Sequence, residues 1–299
     1  MKKILLTIDG SDASLEAAWF MVQLNFRQPV EIVVATVIHE PPSQKSFLVD
    51  GWSKAWLLRK REQANRSFEE VQAIFGDLDV QFQQIVREGH PGETIVSLAR
   101  ELQPDLVVVG AKGHSAVERI LLGSTSDYVA THVPGSVLVV RQSDDAGRPE
   151  RLRIAIGCDP SQPTETALDE FMRLGWAREA DVRVLSVTDR SVVDDSSEDE
   201  VSRRCLENAF EKLNAVAPSS RGMVIHCDHV GDGLVDYVDS NQVDLVIVGE
   251  TPRGGFERML LGSTTRFVLR HASSSVLIAR RRRREDAQDE SVSEQTASV

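Results

Sequence analysis

Short apolar runs recur along the chain, each followed by a longer stretch with polar residues on one side. In the first half they fall at residues 3–8, 30–38, 80–86, 105–109 and 137–140. Runs this short and this rich in Val and Ile read as strands, and the run at 30–38 is continuous enough to be covered on both faces. Between them, residues 13–26, 54–75 and 94–102 carry helical patterns, with Asp9-Gly10-Ser11-Asp12 a turn and a set of N-cap candidates for the first. The second half repeats the scheme. Its strands are placed at 153–158, 180–187, 223–228, 244–248 and 276–279, and its helices at 201–215 and 233–241. Strand and helix alternating in this way predict an α/β chain of two tandem doubly wound domains. Each is a five-stranded parallel sheet in the order 3-2-1-4-5, with helices on both faces and right-handed crossovers.

The duplication is written most plainly at residues 110–126, GAKGHSAVERILLGSTS, which return at 249–265 as GETPRGGFERMLLGSTT. Residues 89–123 align with 228–262 without a gap. The chain therefore divides into a first domain at 1–141, a linker at 142–150, a second domain at 151–280 and a tail at 281–299 whose composition predicts disorder. Two loops are placed after the second strands. One holds Pro41-Pro42, and the other is the acidic segment 189–200.

The repeated segment carries the candidate chemistry. Gly110 and Gly113 are spaced G-x-x-G directly beyond a buried strand, and nine residues later Gly123-Ser124-Thr125-Ser126 opens a helix. Glycine admits positive φ and close approach of an anion to the backbone, and a helix N-terminus adds free N–H groups and partial positive charge. An ordinary turn and helix cap would use the same residue types, so the signal lies in the spacing and the strand before it. In a 3-2-1-4-5 sheet ligands bind beyond the strand carboxyl ends where the order reverses, which brings Asp9 and the glycine loop to one crevice. The second copy offers Asp159, Gly249, Gly262, Ser263 and Thr264, but Pro252 stands where the first has Gly113. Proline supplies no N–H, so the second site is expected to be the weaker.

Gly110-x-x-Gly113, nine residues, then Gly123-Ser124 resembles the ATP-binding signature of the universal stress protein family. The opening KKILLTIDGSDAS resembles that family's first strand and turn. The resemblance covers both halves and implies a regulatory ATP-binding protein, with ATP or another adenine nucleotide, with or without Mg2+, held chiefly in the first domain. It implies that Asp9 meets the nucleoside, and that the backbone at Val37, with Val187 as its counterpart, meets the adenine. It also implies an internal pseudo-dimer in which the run Val137–Val140 pairs with the run from Val276 to Ala279, beside a protein partner that the sequence does not name. The alternative is an interaction module of the same fold that binds no nucleotide.

Composition narrows the field. A net charge of -12 counts against nucleic acid as the main partner. No apolar run reaches the roughly 20 residues of a membrane span, and Asp9 cuts off the signal-like start, so the expected address is the cytoplasm. Cys158, Cys205 and Cys227 form no C-x-x-C pair and are expected to be reduced thiols. Residues 226–229, His-Cys-Asp-His, alternate in direction along a strand and so do not converge on a metal. His114 is expected to be an exposed loop residue, and Trp52 with Trp56 a packing face. Five arginines at 280–284 lead into the tail, but acids follow and cancel them. No nucleophile-base pair, carboxylate dyad or Walker-type Gly-Lys-Ser/Thr is present, so no enzyme is expected beyond slow, incidental ATP hydrolysis.

Overall fold

The computed structural model describes residues 1–24, 29–39, 50–112, 122–142, 151–159, 162–175, 180–189, 196–250 and 261–280. In the first half β1 (Lys2–Thr7), α1 (Asp12–Gln23), β2 (Val30–Ile38), α2 (Asp50–Phe75), β3 (Val80–Glu88), α3 (Pro91–Leu102), β4 (Leu106–Gly110), α4 (Ser124–His132) and β5 (Val137–Val140) follow in order. The second half runs β6 (Arg153–Cys158), α5 (Gln162–Leu174), β7 (Asp181–Asp189), α6 (Ser196–Leu213), β8 (Arg221–Cys227), α7 (Val230–Ser240), β9 (Leu245–Glu250), α8 (Ser263–His271) and β10 (Ser275–Arg280). Among the described residues no helix is long and apolar enough to cross a membrane.

All ten strands form one sheet, in the order β3-β2-β1-β4-β5-β10-β9-β6-β7-β8. Each half is parallel in the order 3-2-1-4-5. Alternate residues of a strand face opposite sides, and the core divides accordingly. Ile4, Leu6 and Ile154 face the side of α1, α2, α5 and α6. Leu5, Val33 and Val107 face the side of α3, α4, α7 and α8.

The halves meet through an antiparallel pair, β5 with β10, in which Val139 lies opposite Val276, Leu138 opposite Leu277 and Val137 opposite Ile278. Each edge strand thereby loses its row of open backbone groups. Side chains repeat the two-fold relation. Arg280 N–H donates to Ser136 Oγ at 3.1 Å, and Arg141 N–H to Ser275 Oγ at 3.2 Å. Arg280, 3% exposed, reaches across the seam to the carbonyls of Ala130 and Val133 at the end of α4. Arg141 reaches the carbonyl of Leu269 in α8 at 2.6 Å. Cations suit a helix carboxyl end, where the last carbonyls lack intrahelical donors.

Several boundaries differ from those expected. Helix α3 begins at Pro91 rather than residue 94, because proline fits the first helical turn, where an N–H has no acceptor to lose. Helix α6 begins at Ser196, inside the acidic segment expected to be a loop, and acids are favourable at a helix N-terminus. Cys158 and Cys205 are joined in a disulfide, with Cα atoms 6.7 Å apart, and are not the reduced thiols expected from their separation in sequence. The fold sets the end of β6 against the buried face of α6, a proximity that no local motif announces. Cys227 remains free. The linker from residue 143, the tail, His114 and the Trp52 side chain lie outside the described residues.

Candidate functional site

Strands β1 and β4 are neighbours, with Leu6 opposite Val108, so their carboxyl ends emerge side by side. The chain leaves β1 through exposed Asp9. Its Oδ1 accepts the Ser11 N–H at 2.9 Å and the Ser11 hydroxyl at 2.5 Å. Ser11 in turn caps α1 by accepting the Ser14 N–H. Gly10, at φ +81°, makes the turn between them, a region of backbone space that favours glycine. Asp9 is therefore fixed at the mouth by the same contacts that start the helix.

Strand β2 continues past the end of β1. Ile8 N–H donates to the Ala35 carbonyl, and residues two apart along a strand point their backbone groups to the same side. The N–H and C=O of Val37 are thus directed to the β1 side, two residues past Ala35, where the paired register with β1 ends. On β7, Val187 pairs in register with Ile225 and is likewise half-buried.

On the other flank, Gly110 ends β4 for a different reason from the one expected. A Cβ there would lie 2.6 Å from the carbonyl oxygen of Ala13, so the missing side chain lets α1 pack on the strand end. Gly249 repeats this against Pro163, at 1.7 Å. Neither glycine has positive φ. Gly123 is extended at φ -65°, and its N–H is held by the Ala111 carbonyl at 2.8 Å. Helix α4 then starts at Ser124. Its first-turn N–H groups, on Ser124, Thr125 and Ser126, are ones that a helix leaves without intrahelical acceptors. Ser124 is exposed and Thr125 half-buried. Ser126 departs from expectation: it is buried, and its hydroxyl donates to the Gly110 carbonyl at 2.6 Å. That single proton latches helix to strand and is not offered to a ligand. Gly113 and Pro252, in the segments 113–121 and 251–260, lie outside the described residues.

The second half contains a residue that the sequence reading passed over. Glu250 stands directly after Gly249, where the first half has Ala111. Its Oε1 accepts the Gly262 N–H at 3.0 Å, and its Oε2 accepts from Arg280 Nη2 at 2.9 Å and Nε at 3.2 Å. Both partners are buried, at 8% and 3% exposure. Burial pulls the Arg280 pKa below the ordinary arginine range, and Glu250 opposes that shift. A carboxylate is thus already seated beneath the N-terminus of α8. In the first half Ala111 stands at that position, and among the described residues the corresponding Arg141 keeps a buried Nε without a hydrogen-bond partner. The gap-free alignment of Ala111 with Glu250 was the available signal. Asp159 is exposed like Asp9 and accepts from Thr164 Oγ1 at 2.7 Å, while Ser263 and Thr264 open α8 as Ser124 and Thr125 open α4.

Family comparison bears on the whole chain. A model of the universal stress protein family matches residues 1–141 and again 150–280. The chain belongs to the universal stress protein family. A universal stress protein of Mycobacterium tuberculosis is 28% identical over 301 residues, covering 93% of this chain and 96% of that one. Another, from Mycolicibacterium smegmatis, is 28% identical over 240 residues, covering 74% and 78%. Among solved structures, a universal stress protein from Archaeoglobus fulgidus superposes with a TM-score of 0.67 at 19% identity, covering 94% of this chain and 98% of that one. At that identity the likeness bears on the fold alone. Among the described residues no group of three or more His, Cys, Asp or Glu side chains is placed to hold a metal ion. His226 Nδ1 lies 2.8 Å from Thr188 Oγ1, and Cys227 donates to the His229 carbonyl at 3.0 Å.

Proposed function

We propose that this universal stress protein is a regulatory binder of ATP or a related adenine nucleotide, held in the first half at the crevice between β1 and β4. The observation that carries the reading is the asymmetry between the halves. The first has the uncharged Ala111 at the place from which Glu250 reaches the N-terminus of α8, and among the described residues no acid lies beneath α4. In this reading the N–H groups of Ser124 and Thr125, with their hydroxyls, receive phosphate oxygens, and the dipole of α4 favours their charge. Asp9 accepts from a ribose hydroxyl, and the open backbone groups of Val37 meet the adenine edge. Mg2+, where present, arrives on the phosphates. We assign no general base or nucleophile to the crevice, so hydrolysis of bound ATP is slow and incidental.

The second half is read as an interaction module that takes no nucleotide. Glu250 favours this, because a second anion at α8 would compete with it for the Gly262 N–H. Isothermal titration with ATP tests both parts. A single site per chain is expected in the wild type, and Gly113→Pro should weaken it about ten- to a hundredfold, as loss of a charged hydrogen bond would. No heat with the wild type rejects the nucleotide reading, and two equal sites reject the assignment of the halves. Mass spectrometry of the ligand that co-purifies with the native protein identifies the nucleotide.

A further inference from the structure

At the opposite, amino-terminal rim of the second half's strands lies a cleft of about 410 Å³, lined by Arg153, Arg183, Arg221, Met223, Tyr237 and Asn241 among others. We propose that it binds a small organic anion: a phosphate or carboxylate group on an apolar or aromatic body.

The duplication supplies the comparison. Lys3 pairs with Glu31 in the first half as Arg153 pairs with Asp181 in the second, so Arg183 occupies the position of Val33. Val33 pairs with Gln83 as Arg183 pairs with Arg221. In the gap-free stretch, Tyr237 and Asn241 replace Leu98 and Leu102. Val33 and Leu98 are buried core in the first half, where this space is filled. Its counterpart has been opened, and the residues that line it have become cationic and polar.

Two guanidinium groups start from directly opposed positions on neighbouring strands, whose backbones run about 4.8 Å apart. Like charges in that arrangement are destabilising unless an anion lies between or beside them. Asp181 engages Arg183 at 2.9 Å, and Asp244 engages Arg153 at 3.2 Å. Arg221 has no carboxylate partner among the described residues. It is exposed, and Met223 beside it is 48% exposed. Arginine presents a planar fork that matches phosphate and carboxylate oxygens two at a time. A cleft of this volume, lined by Arg221, by Arg183 with its partner Asp181, and by Met223 and Tyr237, has the make-up of a small-ligand site. A protein of net charge -12 gathers three arginines there, so the attraction is local rather than a property of the surface.

The test uses the full chain and residue-resolved NMR of the arginine Nε–H and methionine methyl groups, titrated with phenyl phosphate and, separately, with benzoate. Saturable shifts at Arg183, Arg221 and Met223 are expected, and the tighter of the two probes tells phosphate from carboxylate. Arg221→Ala should weaken the binding about tenfold or more, and Arg183→Val with Arg221→Gln, the first half's residues, should abolish it. No saturable shift with either probe, or unchanged binding in both variants, overturns the proposal. Because the readout is at the cleft residues, phenyl phosphate bound at the α4 crevice is distinguished from binding here.

Discussion

Removing the Glu250 carboxylate tests the account of the seam and of the second site together. In Glu250→Ala, Arg280 keeps its bonds to the carbonyls of Ala130 and Val133 but loses the only carboxylate it touches among the described residues. Two unit charges about 4 Å apart at an effective dielectric near 20 attract by roughly 4 kcal/mol. Stranding one member of a buried pair costs about 3–5 kcal/mol. The α4 carbonyls still cradle the guanidinium, so the expected loss lies at the lower end, near 3 kcal/mol. Equilibrium unfolding in urea measures it. The informative comparison is the double variant Glu250→Ala/Arg280→Met. With the stranded cation replaced by an apolar chain, it should be more stable than Glu250→Ala alone, a departure from additivity expected of contacting residues. A loss below about 1 kcal/mol, or strictly additive effects, would refute the claim that a desolvated pair ties β9 and β10 to the end of α4.

Four further outcomes are expected. Ala111→Glu places the second half's acid beneath α4 and should lower ATP affinity at least about tenfold in a calorimetric titration; unchanged affinity would contradict the phosphate assignment. Gly110→Ala drives a methyl into the Ala13 carbonyl and should cost about 1–3 kcal/mol, read from the urea midpoint. The Cys158–Cys205 bond spans a sequence separation of 47, so reduction should remove about 4 kcal/mol of stability. Cys205→Ser, which borrows Ser67 from the matching buried face of α2, should be insensitive to reductant. The Lys2 pKa is lowered from 10.5 by burial and then by Arg173, with Asp105 and Glu170 opposing. Between its folded pKa and 10.5 the unfolded chain binds more protons, so this group's contribution to stability rises with pH across that window. Lys2→Met should remove the rise, seen as a narrowing alkaline difference between the two urea midpoints.

The architecture was legible because buried parallel strands leave short Val- and Ile-rich runs, and because the chain states its pattern twice. Boundaries were less so where two signals compete: the acids at 196–200 suit a solvated loop and a helix start alike. The G-x-x-G spacing pointed to the end of β4, yet Gly110 there serves α1 packing, and Ser126 is a latch between helix and strand. Those roles depend on Ala13 and on the Gly110 carbonyl, contacts that spacing does not encode. Glu250 was visible as a difference from Ala111, but its meaning required Arg280, thirty residues on, to be seen reaching back under α8. The disulfide was hidden for the same reason, since its cysteines are brought together only by the sheet.

Housing both copies in one polypeptide has a consequence for how this family member could diverge. In a pair of identical chains any change at the seam is made twice, so both arginines would gain a carboxylate or neither would. Among the described residues Arg280 is paired with a carboxylate and Arg141 is not, an inequality that two copies of one identical chain cannot show. Under the assignment proposed above, one copy would be free to surrender its ligand mouth while the other keeps its own.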